Sequence, residues 1–140
     1  MVNQQFATAV HILTALAFNK KKLLNSETLA ASVSTNPVVI RRLLSLLTKS
    51  QLVTTLRGKS GGVRLSREPQ TITLKDVYLA INPAESISPR TKNPTKECPV
   101  SCSMHSIMTT ISDGTQKSIL KYLESQKLSD LIKKIPKPSA

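Results

Sequence analysis

The chain's 140 residues fit one compact domain with one appended element, and with 3% aromatic residues and no Trp its core must be aliphatic, which favours helices. Twenty Lys and Arg against eight Asp and Glu leave a net charge of +12, a self-repulsion that calls for an anionic partner, either nucleic acid or an anionic membrane. No apolar run approaches the roughly 20 residues of a bilayer span, and the start Met1-Val2-Asn3-Gln4-Gln5 lacks a signal peptide's layout, so no membrane role and a cytoplasmic location are expected.

From Gln4 to Phe18 the residues Phe6, Ala9, Val10, Leu13, Leu16 and Ala17 recur at three- and four-residue steps, the period of an amphipathic helix. Lys20-Lys21-Lys22 breaks the pattern, as an exposed turn or a non-specific phosphate contact. Ser26 stands where an N-cap would, with Glu27 in the first turn, so a second helix is expected over Glu27–Ser32. After the polar turn Val33-Ser34-Thr35, Asn36 is an N-cap and Pro37 fits the first helical position, where a missing N–H costs nothing. That third helix gathers Ile40, Leu43, Leu44 and Leu47 on one face and turns Val38, Arg41, Arg42, Ser45 and Lys49 elsewhere. Two short helices joined by a tight turn read as a helix-turn-helix.

Leu52–Leu56 and Val63-Arg64-Leu65 are strand-like and flank Gly58-Lys59-Ser60-Gly61-Gly62, a hairpin loop that completes a winged helix. Thr73 with Asp76 three residues on marks the start of a helix through Val77, Leu79, Ala80 and Ile81. Pro83, Pro89 and Pro94 among Ser, Thr and Lys predict an exposed, partly mobile linker between Asn82 and Cys98. A long helix is expected from about Ser103 to Ser125, weakened at Asp113-Gly114, with Met104, Ile107, Met108 and Ile111 on a stripe continued by Ile119, Leu120 and Leu123. The stripe is expected to meet a second copy of the chain, the alternative being packing on the first helix. Leu128–Ile135 gives a last short helix before a frayed tail from Pro136.

The fold class is thus mainly α with a small β-hairpin wing. It divides into a winged helix-turn-helix over 1–82, a linker or sensor loop over 83–102, and a dimerisation helix with tail over 103–140. Residues 1–70 carry ten basic and two acidic side chains (+8) and residues 71–140 ten and six (+4), which puts the polyanion surface on the N-terminal half.

The segment TLAASVSTNPVVIRRLLSLLTKSQLVTTLRGKSGGVRLSREPQTITLKDVYLAI closely resembles the Rrf2 family of bacterial winged-helix regulators. The resemblance is carried by the Leu-rich third helix, the turn into Leu52-Val53, the wing motif Arg57-Gly58-x-x-Gly61-Gly62 and Ile72-Thr73-Leu74, and with the first helix it covers roughly residues 1–82. It implies a homodimer on double-stranded DNA, with helix-turn-helix units in successive major grooves of a palindromic operator and long helices crossing between subunits. It also implies that Arg57 enters the minor groove.

A recognition helix offers its N-terminal residues to base edges, which nominates Asn36, Pro37, Val38 and Arg41. Arg41 suits a bidentate contact to guanine and Val38 a thymine methyl, while Arg42 reaches a phosphate. Lys59, Ser60 and Arg64 would add phosphate contacts, Gly61 a close backbone approach, and Thr28 completes the set. Family members often carry acidic or small polar residues where Arg41 and Val38 stand, so the base preference is expected to differ.

Some family members hold an iron–sulfur cluster on three closely spaced cysteines. This chain has Cys98 and Cys102, with His105 three residues on, so that pattern is absent and no cofactor is expected. A metal site on these residues is the alternative, against zinc's need for four ligands. The run Asn93-Pro94-x-x-x-Cys98-Pro99-Val100 resembles a cluster-free branch in which cysteine redox sensing occurs. Cys102 near a helix N-terminus and Cys98 near Lys96 occupy settings that favour a thiolate, and inert thiols are the alternative. His11 is expected to be a packed or interface residue.

No nucleophile signature, phosphate-binding loop or paired carboxylates point to an enzyme. The expected function is therefore a sequence-specific DNA-binding transcriptional regulator, acting as a repressor, with thiol-based redox sensing. The alternatives are an iron–sulfur or metal-responsive regulator and a non-specific structural nucleic-acid binder.

Overall fold

The structure, a computed structural model, describes residues 4–20, 22–83, 87–90 and 92–137. Lys21 of the lysine run, part of the linker and the end of the tail lie outside the described residues. The chain forms two units, residues 1–83 with 123–140, and residues 84–122.

In the first unit, α1 (Gln5–Phe18) buries Ala9, Ile12, Leu13, Leu16 and Ala17, the stripe its periodicity announces. Phe6 meets Tyr78 edge-on, with ring centroids 5.7 Å apart. His11 is exposed rather than packed, its Nε2 2.9 Å from Ser32 Oγ, which ties α1 to α2 (Ser26–Val33). The cap of α2 is Asn25, not Ser26. Asn25 has extended backbone and its Oδ1 accepts the Thr28 N–H at 2.8 Å, whereas Ser26 is already helical and its hydroxyl donates to Glu27. Asn36 caps α3 (Pro37–Lys49) as expected, accepting the Val38 N–H at 2.9 Å, and Ile40, Leu43, Leu44 and Leu47 are buried. Burying each such side chain stabilises the unit by about 1.5–3 kcal/mol.

Strands β1 (Val53–Leu56) and β2 (Gly62–Leu65) pair antiparallel with Val53 opposite Leu65 and Leu56 opposite Gly62. The inner face of the hairpin buries Val53 and Val63, and Val63 exchanges two backbone hydrogen bonds with Leu24, of 2.7 and 3.2 Å, fixing the wing to the segment before α2. Two glycines make the tip possible. Gly58 has φ +108°, which side-chain-bearing residues rarely adopt, and a Cβ on Gly61 would lie 2.1 Å from the Leu56 carbonyl oxygen.

Thr73 and Asp76 form the expected capping box of α4 (Leu74–Ile81). The return of the C-terminus departs from the reading that grouped residues 103–140. Gln126–Leu128 runs antiparallel to Ile72–Leu74, with Leu74 N–H donating to Gln126 O and Leu128 N–H to Ile72 O, each at 2.9 Å. This places α6 (Leu128–Lys133) against α1, with Leu128 fully buried in the same core as Ile12 and Val77. A short apolar helix cannot bury its own face, and here the N-terminal core buries it.

In the second unit, the described linker residues are mostly exposed. Helix α5 (Pro99–Glu124), whose last residues belong to the first unit, starts four residues earlier than expected. Pro99 fits its first position and the Cys98 sulfur accepts the Ser101 N–H at 3.4 Å as a cap, so Cys102 lies within the helix rather than in the loop. The helix runs unbroken through Gly114, and Val100, Met104, Ile107 and Ile111 are exposed along it.

Candidate nucleic-acid interface

On α3 the residues Arg41, Ser45 and Lys49 stand one above another at four-residue steps, facing the hairpin. Between them and the wing runs an open groove of about 900 Å³, lined by Arg41, Ser45, Thr48 and Lys49 on one side and Thr55, Arg57, Gly58 and Gly61 on the other. Among the described residues, three cations and no carboxylate line it. Val38 (57% exposed) and Arg42 are exposed in the first turns of α3.

The structure therefore brings together Arg41, Arg57 and Gly61 of the sequence-predicted residues, and sets Lys59 and Ser60 exposed in the turn closed by Gly61 N–H to Gly58 O at 3.0 Å. Arg64 is elsewhere. It projects from the outer face of β2 into a separate hollow with Lys20 and Arg67. Asn36 and Pro37 are at the start of α3, where the Asn36 oxygen is committed to capping, and Thr28 is exposed in the first turn of α2. Lys49 and Ser45, which sequence reasoning passed over, are part of the groove, and their spacing from Arg41 is the signal that could have found them.

Several cations are already engaged. Lys20 pairs with Glu68 at 3.1 Å, and Arg67 pairs with Asp76 at 3.5 Å while donating to the Thr71 carbonyl. Arg41 Nη2 lies 3.3 Å from Glu27 Oε1. The Glu27 carboxyl is held below the ordinary glutamate range by hydrogen bonding to its own backbone amide, with Ser26 and Arg41 adding to the effect. Arg42, Lys49, Arg57, Lys59 and Arg64 have no carboxylate within 4 Å among the described residues. A field this one-sided attracts a polyanion.

A family model, described as an iron-dependent transcriptional regulator, matches residues 2–134. The chain belongs to the Rrf2 family. It is 34% identical over 132 residues to YwnA of Bacillus subtilis, an HTH-type transcriptional regulator by name, covering 94% of this chain and 97% of that one. A transcriptional regulator structure from Lactobacillus plantarum is similar at 28% identity and a TM-score of 0.76, covering 91% and 87% of the two chains. CymR, the global cysteine regulator of B. subtilis, shares the fold at 21% identity and a TM-score of 0.68, covering 97% and 98%. This Rrf2 protein is accordingly a winged-helix, DNA-binding transcriptional regulator. Among the described residues no helix is long and apolar enough to cross a membrane.

The iron in the Rrf2 model's description finds a poor donor set here. The sequence has two cysteines, and no three His, Cys, Asp or Glu side chains converge among the described residues. The two sulfurs also have different surroundings. Cys98 Sγ accepts a helix-start amide, whereas the Cys102 thiol donates to the carbonyls of Thr95 and Lys96 at 3.5 and 3.7 Å. Iron–sulfur clusters are held by cysteine thiolates, and two of them in one chain are a poor match for such a cluster.

Proposed function

We propose that two copies of this chain bind a palindromic operator, each inserting α3 into a major groove and Arg57 into the adjoining minor groove, and that the bound dimer represses by covering a promoter. The observation that carries this reading is the cationic groove between α3 and the wing, free of carboxylates and walled by Arg41, Lys49 and Arg57. The recognition helix supplies Val38 and Arg41 to base edges, and Arg42, Lys59 and Ser60 are available to phosphates. Dimerisation runs through the exposed stripe Val100, Met104, Ile107 and Ile111, whose steps of four, three and four residues keep them on one helix face.

Duplexes enriched by the protein from a random-sequence library test the proposal. The expected product is an inverted repeat with half-site centres about one helical turn, roughly 34 Å, apart. Binding to it should exceed binding to scrambled duplex by about 10³-fold or more. Enrichment of no sequence at all would leave a non-specific nucleic-acid coat as the better description.

The regulator works without a cluster in this reading, and its signal is oxidation of Cys98. Support for that comes from the position of the Cys98 sulfur, which accepts the Ser101 N–H at the start of α5 and so couples the thiol to that helix end. Iron content of protein purified without air tests the first point, and stoichiometric iron with visible colour would refute it.

A further inference from the structure

We infer that Glu27, which is not itself aimed into the groove, is the positioning residue for Arg41 and so a determinant of base specificity. The inference rests on the operator-binding reading above.

Glu27 stands on the first turn of α2. Its Oε2 accepts the Ser26 hydroxyl at 3.3 Å, and its Oε1 faces Arg41 Nη2 at 3.3 Å, across fourteen residues of sequence. The two helices that carry the pair are locked by buried side chains, Leu29 and Ala30 on α2 and Ile40, Leu43 and Leu44 on α3. The carboxylate is thus held beside α2 by the Ser26 hydroxyl, and it draws one guanidinium nitrogen of Arg41 towards it.

An exposed arginine otherwise samples many rotamers, and a bidentate contact to guanine needs the planar fork in one orientation. Among the described residues Arg41 makes no other hydrogen bond or ion pair, so the Glu27 contact engages one nitrogen and leaves the rest of the fork for a base. The pair is too exposed, at 58% and 65%, to matter much for folding. Its second consequence is electrostatic. A negative charge beside the groove lowers affinity for every DNA sequence alike and leaves their ratio unchanged, while the orientation of Arg41 favours one sequence and widens the gap between operator and random DNA.

The test uses the full chain and the duplex that the wild type enriches from a random library, with a scrambled duplex of equal composition as reference. Glu27→Ala should reduce the operator-to-scrambled ratio about tenfold, and Glu27→Gln, whose amide oxygen can still accept from the guanidinium, should restore most of it. Both should bind scrambled DNA more tightly than wild type, because both remove the charge. Repeating the selection, Glu27→Ala and Arg41→Ala should relax the same base pair in each half-site, and Glu27→Ala should change the ratio no further in an Arg41→Ala background.

Equal ratios for the Ala and Gln variants would show that the hydrogen bond from Arg41 does not set the ratio, and would overturn the inference. So would relaxation at a different base pair, or an undiminished effect without Arg41. Failure of the wild type to enrich any sequence would remove the operator reading first, and this inference with it.

Discussion

Gly61→Ala tests whether the shape of the wing tip matters as much as its charge. The added Cβ would stand 2.1 Å from the Leu56 carbonyl oxygen and 2.9 Å from Arg57 C and Gly58 O, all backbone atoms that cannot swing aside as a side chain can. Relief requires the turn to open by about 1 Å, since non-bonded carbon and oxygen do not approach closer than roughly 3 Å. Opening it forfeits the Gly61 N–H to Gly58 O bond, worth about 0.5–1.5 kcal/mol, and any strained alternative costs about 1–3 kcal/mol. The unit should stay folded, because Val53, Val63 and the Leu24–Val63 pairing lie below the tip.

Denaturant melts should therefore show a loss of about 1–3 kcal/mol, and fluorescence anisotropy on the enriched duplex a loss of affinity similar to that of Arg57→Ala, about 1–3 kcal/mol. The Gly61→Ala, Arg57→Ala double variant should bind no worse than either single variant, since both remove the same contact. Wild-type affinity in Gly61→Ala with its stability lowered would refute the idea that this glycine places Arg57.

Leu128→Ala should destabilise the winged-helix unit by about 2–5 kcal/mol, read as a fall in Tm by circular dichroism, because the side chain is fully buried. A change below about 1 kcal/mol would mean that α6 does not complete that core. Ile107→Asp places a charge in the proposed subunit contact, and sedimentation should report a 15.3 kDa monomer with weakened operator binding. A persistent dimer would move the interface elsewhere. Mild peroxide should alter operator affinity in the wild type and not in Cys98→Ser, and equal responses in the two would end the redox proposal.

The features legible in the sequence are those whose cause is local. Asn36-Pro37, the Thr73–Asp76 box and the glycines of the wing each satisfy backbone demands within four residues, and the structure reproduces all three. Where two capping residues adjoin, as Asn25 and Ser26 do, composition cannot choose between them, and the extended backbone of Asn25 decides. The start of α5 was hidden because its cap is a thiol, an uncommon acceptor, while Pro99 reads equally well as linker. Long-range facts left no local trace. The insertion of Leu128 into the core, the Arg41–Glu27 contact and the diversion of Arg64 to another hollow all depend on which elements the fold brings side by side.

The return of the C-terminus bears on how this protein is made. A nascent chain that has reached Pro83 carries every residue of the helix-turn-helix and wing, yet lacks Leu128, a fully buried member of their core, which arrives forty-five residues later. The core of the DNA-reading unit is therefore complete only after α5 has been synthesised. A premature stop anywhere in the long helix should give a product that is cleared by proteolysis, rather than a monomeric reader that lingers on operators.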